Sequence, residues 1–242
     1  MTTEPKSEEA KIYVNKIGGW YRVVRVIVGL LIKLLTRTTV EGLENIPRKG
    51  PYLLVTNHLH WLDSPVIMAT FPYRAHVFVA EKWQDHPFLN PLFRSLDAIF
   101  VQRGEVDRQA LHKALEVLQG GGILGLAPEG TRSKTGSMQR GRSGAAYMAL
   151  RTGVEVVPVA AYGQETFSTA LRHLRRPRIH VMYGPPFAPP TVEGKASPGE
   201  VHAFAEEIMY HLAAMLPSEY RGVYGDVPDK RPDLLTFYAA GR

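Results

Sequence analysis

Two short polar islands in apolar surroundings hold the residue types that proton-transfer chemistry needs. The first is Asn57-His58-Leu59-His60-Trp61-Leu62-Asp63, and the second, about seventy residues later, is Pro128-Glu129-Gly130-Thr131-Arg132-Ser133. His58 followed five positions on by Asp63 supplies the parts of a general base held in one tautomer by an acid. Arg132 supplies a planar guanidinium suited to two phosphate oxygens at once. Neither island contains an obvious covalent nucleophile, so the chemistry implied is one in which an incoming substrate hydroxyl attacks. Other readings of the same residues are weaker. His58-x-His60-x-x-Asp63 is near a metal-ligand spacing, yet the nearest other histidines are His76 and His86, and the chain has no cysteine. A serine hydrolase would need a nucleophile elbow, and Gly141-Arg142-Ser143-Gly144 has the wrong spacing with no preceding strand. Gly120-Gly121-Gly122 with Gly125 precedes a strand, as a helix end does and a nucleotide loop does not.

These residues must be placed by the elements around them. Tyr52–Thr56 reads as a buried strand that empties into Asn57-His58, and Asp63-Ser64-Pro65 reads as a helix start, with Asp as cap and Pro just inside. Ligands bind at the carboxyl ends of strands in α/β proteins. Further strands are expected at 39–42, 75–80, 98–102, 122–127, 154–161 and 178–183, with helices at 65–70, 108–119, 143–152 and 200–216. This alternation predicts an α/β fold whose central sheet is mixed and largely parallel, flanked by helices. Pro185-Pro186, Pro189-Pro190 and the segment 194–199 read as a loop before the last helix. The 242 residues, 45% of them hydrophobic, suffice for a sizeable core. Without cysteine, disulfides and thiolate chemistry are excluded, and the redox compartment stays open.

The N-terminal segment differs in character. Glu4, Glu8 and Glu9, with no apolar core among the first ten residues, argue against a secretory signal. The stretch 23–35 is interrupted by Arg25 and Lys33 and falls short of the roughly 18 to 20 apolar residues of a spanning helix. At 100° per residue, Arg22, Arg25, Gly29 and Lys33 share a narrow face, while Val24, Ile27, Leu31, Leu34 and Leu35 fill a broad opposite arc. With Trp20 and Tyr21 at its start, this is the pattern of a helix lying in a membrane interface; a core-packed helix with snorkelling cations has the same pattern. Residues 7–16 read as a shorter helix ended by Gly18-Gly19. The chain thus divides into a helix pair over 1–37 and an α/β domain over 38–242; the formal charge of +6 favours an acidic partner such as phospholipid, nucleic acid or a phosphorylated small molecule, although a modest excess is also common on bland surfaces.

The two islands, in this order, resemble the glycerolipid acyltransferases, most closely the bacterial 1-acyl-glycerol-3-phosphate acyltransferases. The resemblance covers about residues 38 to 185 and includes two weaker blocks, Ala98-Ile99-Phe100-Val101-Gln102-Arg103 and Val156-Val157-Pro158-Val159. It implies that an amphipathic N-terminal helix pair docks the enzyme on the cytoplasmic face of a membrane. It also implies that His58, oriented by Asp63, deprotonates the acceptor hydroxyl as this attacks the thioester of acyl-CoA or acyl carrier protein. Arg103, Glu129, Gly130, Thr131 and Arg132 would form the phosphate-binding group, with Arg103 and Arg132 as the cations and Glu129 orienting the site. The expected partners are lysophosphatidic acid, the acyl thioester and an anionic membrane surface, with no cofactor, no metal and no nucleic acid. Asp97 stands where the family usually has glycine, which leaves room for an acceptor such as a lyso-ornithine lipid, a glycolipid or a lysophospholipid. His60 replaces a small polar residue. The basic cluster Arg172, His173, Arg175, Arg176 and Arg178 has two readings: it faces anionic lipid or CoA phosphates, or it is a solvated loop. A non-catalytic lipid-binding module would need no general base, which argues against that class.

Overall fold

The computed structural model describes residues 18–87, 89–102, 107–227, 231, 233 and 234. The strands are β1 (Arg37–Glu41), β2 (Tyr52–Thr56), β3 (His76–Ala80), β4 (Ile99–Val101), β5 (Ile123–Leu126), β6 (Glu155–Tyr162) and β7 (Arg178–Tyr183). They form one seven-stranded sheet in the order β1-β7-β6-β2-β5-β3-β4. Strands β2 to β6 run parallel, whereas β7 is antiparallel to β6 and carries β1 parallel beside it. This is the mixed, largely parallel sheet the alternation predicts.

β2 sits mid-sheet between β5 and β6, and Tyr52, Leu53, Leu54 and Val55 are all buried. A strand covered on both faces reads as a continuous apolar run, which is why it is conspicuous in the sequence. Leu53 and Val55 join a core with α4 (Arg108–Gln119), α5 (Gly144–Thr152) and α7 (Pro198–Met215). Tyr52 and Leu54 join a second core on the other face, with α1 (Gly19–Leu35) and α2 (Asp63–Thr70). α7 starts at a capping box: the Ser197 side chain accepts from the Glu200 N–H while Glu200 reaches back to Ser197. Two short helices, α3 (Leu89–Ser95) and α6 (Phe167–Arg172), are absent from the sequence reading; they are too short for a helical period to emerge.

α1 departs from the expected orientation. Tyr21, Val24 and Ile32 are buried against the body, and Arg25 is turned inward, donating to the Pro72 carbonyl at 3.3 Å. Val24 and Arg25 therefore both lie on the inward side, although the wheel places them on opposite faces. The outward arc is instead apolar: Val23, Val26, Ile27, Leu30, Leu31 and Leu34 are all exposed. The peptide carbonyls at Pro72 and Tyr73 account for this rotation of the helix, because Arg25 and the Tyr21 hydroxyl bond to them. The helix expected over 7–16 and Arg103 lie outside the described residues. Among the described residues, no helix is long and apolar enough to cross a membrane.

Candidate active site

At the carboxyl end of β2 the chain turns sharply and is held on both sides. Asn57, fully buried, donates to the Ala161 carbonyl at 2.7 Å and accepts the Ala161 N–H at 2.9 Å. Its side-chain amide thus imitates one more strand residue and ties the end of β2 to β6. The next peptide is fixed from the opposite side. The His58 N–H donates to Glu129 Oε1 at 2.8 Å, and the Ser133 N–H donates to the His58 carbonyl at 2.8 Å. The two polar islands are therefore one structure, joined through backbone atoms of His58.

The His58 ring is 16% exposed, and its Nδ1 lies 2.8 Å from Asp63 Oδ2. A carboxylate accepts, so Nδ1 carries the proton and Nε2 presents a lone pair. Among the described residues Nε2 has no hydrogen-bond partner. Asp63 is 1% exposed and accepts three bonds, from His58 Nδ1, from the His60 N–H at 2.9 Å and from Gln164 Nε2 at 2.7 Å. Asp63 is not the helix cap the sequence suggests: α2 begins at Asp63 itself, with Leu62 as cap residue, and the carboxylate turns back toward the two histidines. Gln164, buried just past the end of β6, was not singled out in the sequence. It bridges Asp63 and the Ala161 carbonyl, the atom that also holds Asn57.

Glu129 is almost fully buried, and both of its oxygens are engaged, Oε1 by the His58 N–H and Oε2 by the Gln139 N–H at 2.9 Å. Burial pushes its carboxyl above the usual carboxylate range, and these two peptide hydrogen bonds pull it back in part. Its role here is to hold three loop segments together. Gly130 follows with φ +69°, and an added Cβ would lie 3.0 Å from the Arg142 side chain. The absent side chain leaves Arg142 lying across the turn, so a second cation stands next to Thr131 and Arg132. In the sequence Arg142 stands out only as part of the segment Gly141-Arg142-Ser143-Gly144, which does not form a nucleophile elbow. Thr131 and Arg132 are exposed, and the Thr131 carbonyl accepts from Gln139 Nε2 at 3.3 Å. The geometry brings together His58, Asp63, Glu129, Gly130, Thr131 and Arg132.

The His60 ring packs beside Trp61, and its Nδ1 lies 3.4 Å from the Leu62 N–H. Burial pushes its pKa below the usual histidine range, against the pull of Asp63 and Glu165, with Arg132 adding to the lowering. His76, on β3, is lowered chiefly by burial too. The unfolded chain takes up these protons near the ordinary histidine value of about 6.5, whereas the folded chain does so only at lower pH. Stability should therefore fall as pH drops from about 6.5 toward the two folded values, and then level off. In urea titrations at pH 7.5 and 5.5, the double variant His60→Gln/His76→Gln should lose less midpoint than the parent; equal losses would contradict the assignment.

Asp97 is resolved by the fold. It lies before β4, at the end of the sheet opposite His58, and its carboxylate is ion-paired with Arg74. Its φ of +52° explains why a glycine suits this position, and Asp is among the residues that tolerate it.

The site is thus a hydrogen-bonded histidine–carboxylate pair at the carboxyl end of the central strand of a mixed α/β sheet, joined through the His58 backbone to a Glu-Gly-Thr-Arg turn. A family model described as Acyltransferase matches residues 37–162, just over half of the sequence, and the chain belongs to the acyltransferase family. It is 29% identical over 154 residues to the 1-acyl-sn-glycerol-3-phosphate acyltransferase of Borreliella burgdorferi, covering 63% of this chain and 57% of that protein. It is 30% identical over 152 residues to the enzyme of the same name from Saccharomyces cerevisiae, covering 61% and 48%. The chain thus spans about half the length of these relatives. Among solved structures, the 1-acyl-sn-glycerophosphate (LPA) acyltransferase PlsC from Thermotoga maritima superposes with a TM-score of 0.62 at 26% identity, over 78% of this chain and 76% of that one.

Proposed function

We propose that this protein transfers a fatty acyl chain from an acyl thioester to the free hydroxyl of 1-acyl-glycerol-3-phosphate, giving phosphatidic acid. The observation that carries this reading is the His58–Asp63 pair, with Nε2 open at the carboxyl end of β2 and the Arg132 turn closing over it. Nε2 would take the acceptor's hydroxyl proton as the oxygen bonds to the thioester carbonyl carbon. The C–S bond then breaks, and the proton passes from His58 to the departing thiolate sulfur, so that ester and free thiol leave and the base is regenerated. Asp63 stabilises the imidazolium that forms in between. Arg132, with Arg142 across Gly130, would hold the acceptor phosphate, and Arg103 would join them. Acyl-CoA or acyl carrier protein would serve as co-substrate, with no further cofactor. The exposed apolar arc of α1, flanked by Arg22 and Lys33 and with Trp20 at its edge, supports docking on a membrane surface, which we place on the cytoplasmic face. Asp97, the residue that argues for another acceptor, is far from the base and neutralised by Arg74.

The test is thiol release from acyl-CoA by the purified protein in detergent or vesicles, with lysophosphatidic acid beside non-phosphorylated lyso-lipids. Release that needs both the phosphate and Arg132 is expected. Arg132→Ala should raise KM for the phosphorylated acceptor by about ten- to a hundredfold, the worth of a charge-assisted hydrogen bond pair. Activity confined to the non-phosphorylated acceptors would sink the assignment.

Gln164→Met keeps side-chain volume but leaves Asp63 Oδ1 and the Ala161 carbonyl without this donor. It should cost about 2 kcal/mol of stability and lower kcat about tenfold, with KM for the acyl donor unchanged. A rise in KM alone would mean that Gln164 shapes the substrate site and does not position Asp63.

A further inference from the structure

α6 ends in a turn whose composition does not follow from folding. The Arg175 N–H donates to the Ala170 carbonyl at 2.8 Å and the Leu174 N–H to the Leu171 carbonyl at 3.0 Å. This pair of bonds is the glycine-favouring helix end in which one residue takes a left-handed backbone. Here that residue is Leu174, with φ +52°. A leucine resists this conformation, and it gains nothing by packing, since Leu174 is 94% exposed. Leu171, one turn back, is exposed as well.

The surroundings of these leucines are cationic. Arg172, His173, Arg175 and Arg176 flank them, and Arg178 pairs in register with Arg37 on the neighbouring strand, placing two like charges side by side. Among the described residues none of Arg172, Arg175, Arg178 and Arg37 is matched by an acidic side chain. The turn is also fastened to its neighbours. Arg176 Nε donates to the Thr36 carbonyl at 3.1 Å, and its Nη2 to the Lys33 and Thr36 carbonyls, clasping the end of α1. On the other side Phe167 meets the ring of Trp61 edge-on, with centroids 6.0 Å apart, and Trp61 is half exposed beside the base. Because β1 and β7 run against β2, the end of α1, this turn and Trp61 share the rim at the carboxyl end of β2.

The geometry points to the turn 171–176 as a second membrane-inserting element, in which Leu171 and Leu174 enter the acyl region of an anionic bilayer while Arg172, Arg175, Arg178 and Arg37 meet lipid phosphates. Exposed leucines ringed by cations match an interface with an apolar interior and an anionic surface, and the clasp on α1 makes this element continuous with that helix's apolar arc. The inference extends the reading of an enzyme working at a bilayer and assigns insertion to a segment remote in sequence from the N-terminus.

The chain contains no cysteine, so Leu174→Cys can carry a single environment-sensitive fluorophore on the otherwise native protein. Lys49→Cys, exposed at the opposite end of the sheet, is the control. The label at 174 should shift to the blue and be quenched by shallow nitroxide lipids on phosphatidylcholine vesicles containing phosphatidylglycerol, and the label at 49 should do neither. Leu174→Asn, which relieves the backbone, should weaken vesicle partition roughly tenfold, with the unfolding midpoint unchanged or higher and detergent-phase turnover intact. Neutralising Arg172 and Arg175 as Arg172→Gln and Arg175→Gln should each cost roughly fivefold on anionic vesicles. A label at 174 that stays aqueous on vesicles, insertion equal into pure phosphatidylcholine, or a response to duplex DNA in place of vesicles would overturn the inference. Apart from detergent-phase turnover, none of these readouts needs catalysis, so a failure of acyl transfer to lysophosphatidic acid leaves them standing.

Discussion

Replacing His58 by alanine is expected to lower kcat for thiol release by about 10² to 10⁴-fold, the worth of a positioned general base, while the protein stays folded. The connections that shape the site use the His58 backbone and not its ring: the N–H goes to Glu129, and the carbonyl receives Ser133. His58→Ala preserves both. Asp63 loses one of three donors and keeps the His60 N–H and Gln164, which should cost about 1 kcal/mol of stability. The two measurements together are decisive: a large kcat loss with a urea midpoint near the parent value assigns the proton transfer to the ring. A loss of less than tenfold would mean that the acceptor hydroxyl is activated elsewhere.

How far the sequence reveals this site depends on how each contact is made. β2 and α4 are legible at their residues 52–56 and 108–119 because burial on both faces, and an amphipathic period closed by glycine, leave local signatures. His58 and Asp63 are legible because a five-residue separation across one turn puts the ring against the carboxylate. Gln164 leaves no such trace: it meets Asp63 from 101 positions away, and only the parallel pairing of β6 with β2 brings it there. Glu129 illustrates the middle case. Its place in a polar island marks it, but its occupation by two peptide N–H groups follows from loop packing that no periodicity encodes. Arg25 fails for a related reason, since a helical wheel gives relative angles and the carbonyls at Pro72 and Tyr73 decide which side faces the body. Leu174 is the converse: an unremarkable leucine in a basic run becomes informative only when its backbone turns out left-handed.

Asp63→Asn should reduce kcat by about 10² to 10⁴-fold as well, although it changes one atom and little volume. Asp63 faces donors on both oxygens: His58 Nδ1 and the His60 N–H on Oδ2, and Gln164 Nε2 on Oδ1. An asparagine has one acceptor and one NH₂ group, so one side must oppose a donor. If the NH₂ faces His58, the ring loses its acceptor and no longer presents Nε2 as the base. If it faces Gln164, that amide can turn its oxygen inward; in the present arrangement this oxygen is buried without a partner. Turning it would bring the oxygen against the Ala161 carbonyl, which Gln164 Nε2 now serves at 3.0 Å. In either arrangement the negative charge that would stabilise an imidazolium at His58 is gone. The cost in stability should be about 2 kcal/mol, the price of an opposed buried donor. If His58 and Asp63 act as one unit in the proposed mechanism, the double variant His58→Ala/Asp63→Asn should be about as slow as His58→Ala alone. Fully multiplicative losses would show that Asp63 serves the reaction by some route other than His58, with the His60 peptide it also holds as the first place to look.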